Sequence, residues 1–186
     1  MLGFIDFAGS GVVHMVGGSA GLAATLIIKA RHGRFEEEVK VEDGELPKPR
    51  TSKQLNFKPN YVPFIALGTL LLWFSWYGFN CGSTVNVVST DNVDSSTLVG
   101  LIGINTTIAA AAGGMTSFIA FFFINKETNE SYSVTALCNG ILAGLVGVTA
   151  SCANITSWAA FIIGVFSGLI YLGYSYLWIH LKIDDP

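Results

Sequence analysis

The chain has 186 residues, of which 51% are hydrophobic and only 12% are charged, and its mean hydropathy is +0.54. A water-soluble domain of this composition would lack the polar surface needed to cover itself, so we expect a membrane protein. The formal net charge of -3 is uninformative for a chain that lies mostly in lipid, but the positions of the charges are not.

Five apolar stretches are candidates for membrane spans, because about 20 helical residues cross a hydrocarbon layer of ~30 Å. They are residues 7–28, 61–80, 98–124, 134–150 and 158–179, of which the fourth is the shortest. The first stretch is interpreted as a span and not as a secretory signal, because no basic segment precedes it. We therefore predict an all-α polytopic membrane protein with five transmembrane helices and no separate soluble domain.

The basic residues predict the orientation of these spans. Eight of the ten Lys and Arg residues lie in the connection 29–60, between the first two spans. If the chain has five spans, the other two, Lys126 and Lys182, lie on the same side of the membrane as this connection. Because cytoplasmic loops carry an excess of Lys and Arg, we predict that the loop 29–60 and the C-terminus are cytoplasmic and the N-terminus is outside.

The two long connections have different charge patterns. The loop 29–60 mixes acidic and basic residues with Pro, which is typical of a solvated connector, and a partner-binding role is the less favoured alternative. The outer connection 81–97 contains Asp91 and Asp94 without a basic residue. Those carboxylates would favour cations at the outer face, or the segment is an ordinary polar loop.

Small residues at four-residue spacing predict that the helices approach one another closely. Such residues let helix backbones come together in lipid, where burial of apolar surface gives helices little reason to associate. The pairs are Gly17 with Gly21, Ala20 with Ala24, Gly140 with Gly144, and Gly164 with Gly168.

The three cysteines are too scattered for a metal site, and a disulfide between Cys81 and Cys152 is not favoured.

The stretch DFAGSGVVH places an ionisable residue, His14, inside the first span, about 10 Å below its outer end. Such a group is costly in lipid, so its presence favours a functional role, with a neutral imidazole bonded to a neighbouring helix as the structural alternative. A neutral imidazole has one donor and one acceptor nitrogen and can relay a proton near neutral pH. Asp6 is suited to capping the start of the span or to attracting cations, and the two roles are compatible.

The stretch WYGFNCGST, from Trp76 to Thr84, lies at the outer end of the second span. Aromatic residues are common at membrane interfaces, so each ring taken singly means little. Together with Asn80 and Ser83, the rings could form a face that holds an ammonium-like cation by ring quadrupoles and a hydroxyl.

Five motifs together resemble the ammonium transporter family, the Amt, MEP and Rh group. They occur in the family's order along essentially the whole chain. They are DFAGSGVVHMVGG at 6–18, WYGFNCGS at 76–83, INTTIAAAAGG at 104–114, NGILAGLVGVTASC at 139–152, and DDP at 184–186.

The resemblance implies an eleven-helix fold with two inverted five-helix halves, of which this chain covers about the fifth to the ninth helix. It further implies a plasma-membrane transporter or channel for ammonium or ammonia. The implied assembly is a homotrimer, or a hetero-oligomer with related transporters, with a pore in each protomer. No cofactor, metal, nucleic acid partner or enzymatic activity is implied.

The resemblance also assigns roles to individual residues. His14 matches the first of the family's paired pore histidines, and Phe79 matches the inner of two phenylalanines that close the outer mouth. Ser83 matches a hydroxyl that helps to bind ammonium, and Trp76 and Leu72 match positions on the pore wall. The implied mechanism recruits NH4+ at the outer mouth, removes a proton and conducts NH3, which avoids the cost of desolvating an intact ion.

Two aspartates match the family pattern, whereas other features depart from it. Asp6 matches an aspartate whose loss is expected to disturb substrate handling or folding, and Asp185 matches its counterpart in the other half of the repeat. The second pore histidine would then lie beyond Pro186, and the first four helices are not matched, so we expect an incomplete transporter that does not conduct alone. Cys81 stands where the family usually has a smaller residue.

Two alternatives stay open beside an ammonium transporter. The first is a non-conducting truncated subunit or an ammonium sensor that modulates full-length transporters. The second is a general small-solute channel, which would require the motif match to be misleading.

Overall fold

The computed structural model describes residues 3–31, 34–35, 61–85, 95–127 and 132–184. Regular structure within these ranges is entirely helical, which confirms the predicted all-α class with five helices. A π-helical turn at Ser10–Met15 runs directly into α1, Val16–Ile28. The other helices are α2 (Val62–Gly82), α3 (Ser95–Ile124), α4 (Val134–Thr149) and α5 (Ser157–His180).

Four segments are long and apolar enough to cross a membrane by length and composition, and α4 is an apolar helix of 16 residues. The ends of α2 to α5 lie within three residues of the predicted spans. The first helical segment starts at Ser10, later than expected, because Phe7 and Ala8 are used for contacts with α4. Most of the predicted loop 29–60, as well as Asp91 and Asp94, lies outside the described residues.

Helices α3, α4 and α5 form a closely packed bundle in which glycine and alanine provide many of the closest contacts. The Ala109 carbonyl lies so close to both α4 and α5 that a methyl group added at Gly144 or Gly164 would overlap it. Five glycines lie in this contact. They are Gly113, Gly140, Gly144, Gly164 and Gly168, and a methyl group added at any of them would meet backbone or Ser117 at 3.1 Å or less. The predicted close approach is therefore confirmed for the glycine pairs of α4 and α5.

Several buried polar groups in this bundle donate hydrogen bonds to carbonyls of a neighbouring helix or connection. Asn105 of α3 donates from Nδ2 to the carbonyls of Cys152 and Ile155, at 2.9 and 3.0 Å. The Ser117 hydroxyl donates to the Gly168 carbonyl at 3.0 Å. Such bonds offset the cost of burying polar groups, and they fix the register of α3 against α5.

Helix α1 is held differently. Among the described helical segments, only the π-helical turn lies close to it, and the positions where a methyl group would stand on Gly17 and Gly21 have no atom within 4 Å. Its amino-terminal side is fixed to α4, since Phe7 N–H donates to the Ala150 carbonyl at 2.9 Å. The Ser10 hydroxyl donates to the Val146 carbonyl at 3.0 Å. The predicted close approach at Gly17 and Gly21 is thus not found within the described part of the chain.

Candidate functional site

Asp6 shapes the turn that presents His14. Its Oδ2 accepts hydrogen bonds from the backbone N–H groups of Gly11 and Val12, at 2.9 and 3.1 Å. The first N–H groups of a helix lack intrahelical partners, so a carboxylate at this place stabilises the start of the π-helical turn. Gly9 precedes the turn with a φ of 89°, a left-handed conformation that favours glycine. Single π-helical turns are frequent at functional sites.

The π-helical turn brings His14 against two aromatic residues of α2. The imidazole stacks on the Trp76 ring with a centroid distance of 5.0 Å and an interplanar angle of 18°. The Phe79 ring meets the imidazole edge-on at 5.5 Å and lies 5.8 Å from Trp76. The structure therefore brings together three of the residues singled out from the sequence, and we refer to His14, Trp76 and Phe79 as the ring cluster.

His14 has an unused polar atom in this setting. Its Nδ1 is buried and has no hydrogen-bond partner among the described residues. Buried polar atoms are nearly always paired, so an unpaired one calls for an explanation such as a ligand. The ring nitrogen could donate or accept, depending on the tautomer.

Thr149 fixes the orientation of Trp76, a role that its place in a family motif does not by itself predict. The Trp76 indole donates from Nε1 to Thr149 Oγ1 at 3.0 Å, and that hydroxyl donates to the Leu145 carbonyl at 2.7 Å. The Thr149 carbonyl also accepts from Ala8 N–H at 3.3 Å. Fully buried Thr149 thus joins α4 to α2 and to the segment that carries Asp6.

Leu72 lies on α2 one turn before Trp76, and Ser83 caps the carboxyl end of α2 one turn beyond Phe79. The Ser83 hydroxyl donates to the Phe79 carbonyl at 2.8 Å, which leaves its oxygen lone pairs able to accept. The side chains of Leu72 and Phe79 are exposed in the described chain, at 46% and 38%. Both are therefore open to a molecule or a further helix on that side.

Asn80 does not belong to this face, so the prediction that it helps to hold a cation is wrong. It is fully buried, and its Nδ2 donates to Thr106 Oγ1 at 3.0 Å. A shift of one residue turns a helical side chain by about 100°, which directs Asn80 into the contact with α3 while Phe79 faces His14. Asp185 lies outside the described residues.

Comparisons with known proteins extend over the whole chain. The model of the Ammonium Transporter Family matches residues 1–186. Ammonium transporter 1 member 1 of Solanum lycopersicum is 36% identical over 189 residues, which cover 99% of this chain and 35% of that relative. The crystal structure of Mep2 from Saccharomyces cerevisiae superposes with a TM-score of 0.73 at 31% identity, over 100% of this chain and 34% of that one.

A solved structure described as Sensor Amt Protein superposes with a TM-score of 0.76 at 34% identity, over 100% of this chain and 40% of that one. The chain spans about a third of the length of the curated relatives it matches. Since the family model, the relatives and the solved structures agree along its full length, the chain belongs to the ammonium transporter family.

Proposed function

We propose that these residues form part of a pathway that carries ammonium or ammonia across a membrane. The observation that carries this proposal is the buried, unpartnered Nδ1 of His14, held between the rings of Trp76 and Phe79. An ionisable side chain within a membrane span is functional by default, and here it has a polar atom to offer. Membership of the ammonium transporter family supports this choice of substrate.

The proposed mechanism follows from the surroundings of the ring cluster. NH4+ is first held near Phe79 and Ser83, where ring quadrupoles and hydroxyl lone pairs favour a cation. Moving an intact ion further, into an apolar setting, would cost several kcal/mol, so the ion releases a proton to water at the outer mouth. NH3 then passes the ring cluster, where it bonds to the free nitrogen of His14. Leu72 contributes apolar wall along this route, and Asp6 favours cations at the approach.

The pathway requires more than the described helices. Leu72 and Phe79 are exposed, and α1 has no close helical neighbour among the described segments apart from its own π-helical turn. We propose that further helices of the family fold cover these surfaces, that the protomers assemble as homotrimers or with related transporters, and that a partial unit alone does not conduct.

We also propose the orientation of the chain. Lys29, Arg31 and Lys182 all follow the carboxyl ends of α1 and α5, which is the end expected to be cytoplasmic. The ring cluster then faces the outside of a plasma membrane. A membrane-impermeant thiol reagent applied to intact cells should modify a cysteine introduced at Trp158 but not one introduced at Lys182, and the reverse labelling would contradict the orientation.

Replacement of His14 by alanine tests the transport proposal. In cells that lack their own ammonium transporters and express these residues within a complete transporter, His14→Ala should lower uptake of radiolabelled methylammonium about tenfold or more, because one hydrogen bond to a charged or polarised group is worth that factor. His180→Ala is the matched control, since His180 is exposed at the end of α5. Equal uptake by the two variants at equal expression would refute the proposal.

A second candidate function is that of an ammonium sensor, or of a non-conducting subunit that modulates full-length transporters. The observation that favours it is the similarity to the structure described as Sensor Amt Protein. Under this alternative the protein binds ammonium through the ring cluster and co-purifies with a longer transporter, whereas methylammonium uptake does not depend on His14. The same uptake experiment therefore separates the two functions.

A further inference from the structure

We propose that Asp184 is a positioning residue that holds the carboxyl end of α1 to the end of α5 and thereby sets the width of the cleft between these helices. Its carboxylate binds Arg31 in a fork, with Nε to Oδ2 at 2.7 Å and Nη2 to Oδ1 at 2.8 Å. The Arg31 backbone N–H donates to the same Oδ2 at 3.0 Å, and Arg34 Nε lies 3.3 Å from Oδ1. We call this group the Asp184 clamp.

The environment of the carboxylate makes this contact stronger than an ordinary surface ion pair. The Asp184 side chain is only 1% exposed, while that of Arg31 is 45% exposed. The hydrogen bond from the Arg31 guanidinium, aided by the Arg31 backbone N–H and by the charges of both arginines, lowers the pKa of Asp184 to about 2. A buried carboxylate that loses such partners is left uncompensated, so removing either partner should release the contact.

The backbone at the end of α1 adopts an unusual conformation just before this contact. Lys29 ends the helix with a φ of 67° and a ψ of 179°, a conformation that is essentially confined to glycine. A residue held there costs of order 1 kcal/mol or more, so surrounding contacts must maintain the conformation. The bond from Arg31 N–H to Asp184, two residues later, is such a contact.

The clamp is important because α1 has few other attachments in the described chain. Its amino-terminal side is tied to α4 through Phe7 and Ser10, and its carboxyl end is tied to Asp184. Between these points a cleft of about 320 Å³ separates α1 from the end of α5. The cleft is lined by Gly18, Gly21, Leu22, Thr25, Trp178 and Ile183.

The cleft begins about one turn beyond His14 and runs along the same helix. If the pathway proposed above continues along α1, the clamp sets the width of its second half. This last step depends on the proposed function, whereas the mechanical role of the clamp does not.

Hydrogen exchange of the protein in nanodiscs tests the mechanical role. In Asp184→Asn and in Arg31→Gln, peptides covering residues 22–31 should exchange about tenfold faster, because a charge-assisted contact that limits local opening is lost. Peptides covering residues 105–117 of α3 should be unchanged. Lys182→Gln is the matched control, since it removes a charge two residues from Asp184, and Arg31→Lys should restore part of the protection.

Unchanged exchange at residues 22–31 in Asp184→Asn would overturn the proposal, as would equal acceleration at 105–117.

Methylammonium uptake by a complete transporter that contains these residues adds a second readout. We expect Asp184→Asn to lower the maximal uptake rate while leaving the half-saturation concentration near that of the parent, because Phe79 and Ser83 are untouched. If exchange changes as expected while a complete transporter that contains these residues takes up no methylammonium, the transport function fails and the positioning role stands.

Discussion

The glycines of α1 and those between α3, α4 and α5 share the same four-residue spacing but differ in their surroundings. Gly144 and Gly164 lie directly against the Ala109 carbonyl, whereas Gly17 and Gly21 have open space where a side chain would stand. The spacing predicts a face that can approach another helix, but it does not tell which helix covers that face. The difference separates a bundle held by close backbone contact from a helix held at its two ends.

The largest effect should come from Gly144→Ala. Its methyl group would overlap the Ala109 carbonyl, and backbone cannot move aside as a flexible side chain can. We expect a loss of about 3 kcal/mol in unfolding free energy, measured by denaturant unfolding in detergent. Gly173→Ala on α5 is the control, because the added methyl group has no atom within 4 Å. Similar stabilities for the two variants would show that the bundle is looser than described.

Asn105→Ala should weaken the same bundle somewhat less. The change leaves the carbonyls of Cys152 and Ile155, the first of them buried, without the amide that now donates to them. The expected loss is about 2 kcal/mol in unfolding free energy. Asn154→Ala removes an exposed amide from the same connection and should have little effect. A larger loss for Asn154→Ala than for Asn105→Ala would contradict the assigned roles.

Acid should weaken the attachment of α1 before it affects the bundle. Because the folded pKa of Asp184 is lowered to about 2 from 3.8, its contribution is complete above pH 4 and is lost as the pH falls toward 2. After allowance for solvent around Arg31, this contribution is of order 1 kcal/mol. Hydrogen exchange of residues 22–31 in the parent should therefore approach that of Asp184→Asn between pH 4 and 2. If the difference in exchange rate between the parent and Asp184→Asn stayed constant across this pH range, the role assigned to the Asp184 carboxylate would be refuted.

The smallest effect is expected for Gly17→Ala. An added methyl group meets no described atom, and alanine favours a helix over glycine by up to about 1 kcal/mol, so stability should be unchanged or slightly raised. Denaturant unfolding of Gly17→Ala and Gly144→Ala under the same conditions compares their unfolding free energies directly. A loss as large as that of Gly144→Ala would show that another helix covers α1 in the membrane.

The sequence predicted the number of helices and most of their ends, because long apolar runs and their basic flanks are strong signals. It also indicated His14, because an ionisable residue within a span favours a functional role, whereas Trp76 and Phe79 received their roles from the resemblance to the ammonium transporter family. The spacing could not exclude Asn80, because the side of α2 that faces α3 depends on contacts between distant segments.

Three other features depend on specific side-chain contacts that periodicity does not encode. The π-helical turn at Ser10–Met15 is shaped by the carboxylate of Asp6. Thr149 meets Trp76 across 73 residues of chain, and Asp184 meets Arg31 across 153. The DDP motif drew attention to Asp185 by resemblance, while the ion pairs converge on its neighbour Asp184.

The bonds from Phe7, Ala8 and Ser10 to the end of α4 constrain when the protein can mature during biosynthesis. Ser10 and its partner Val146 are 136 residues apart, so a nascent chain exposes the amino-terminal segment long before its partners leave the ribosome. The imidazole of His14 can therefore reach its final place only after α4 has been inserted. Translation arrested before residue 134 should yield chains in which Asp6 and His14 are still mobile, and chains extended past residue 150 should protect them from hydrogen exchange.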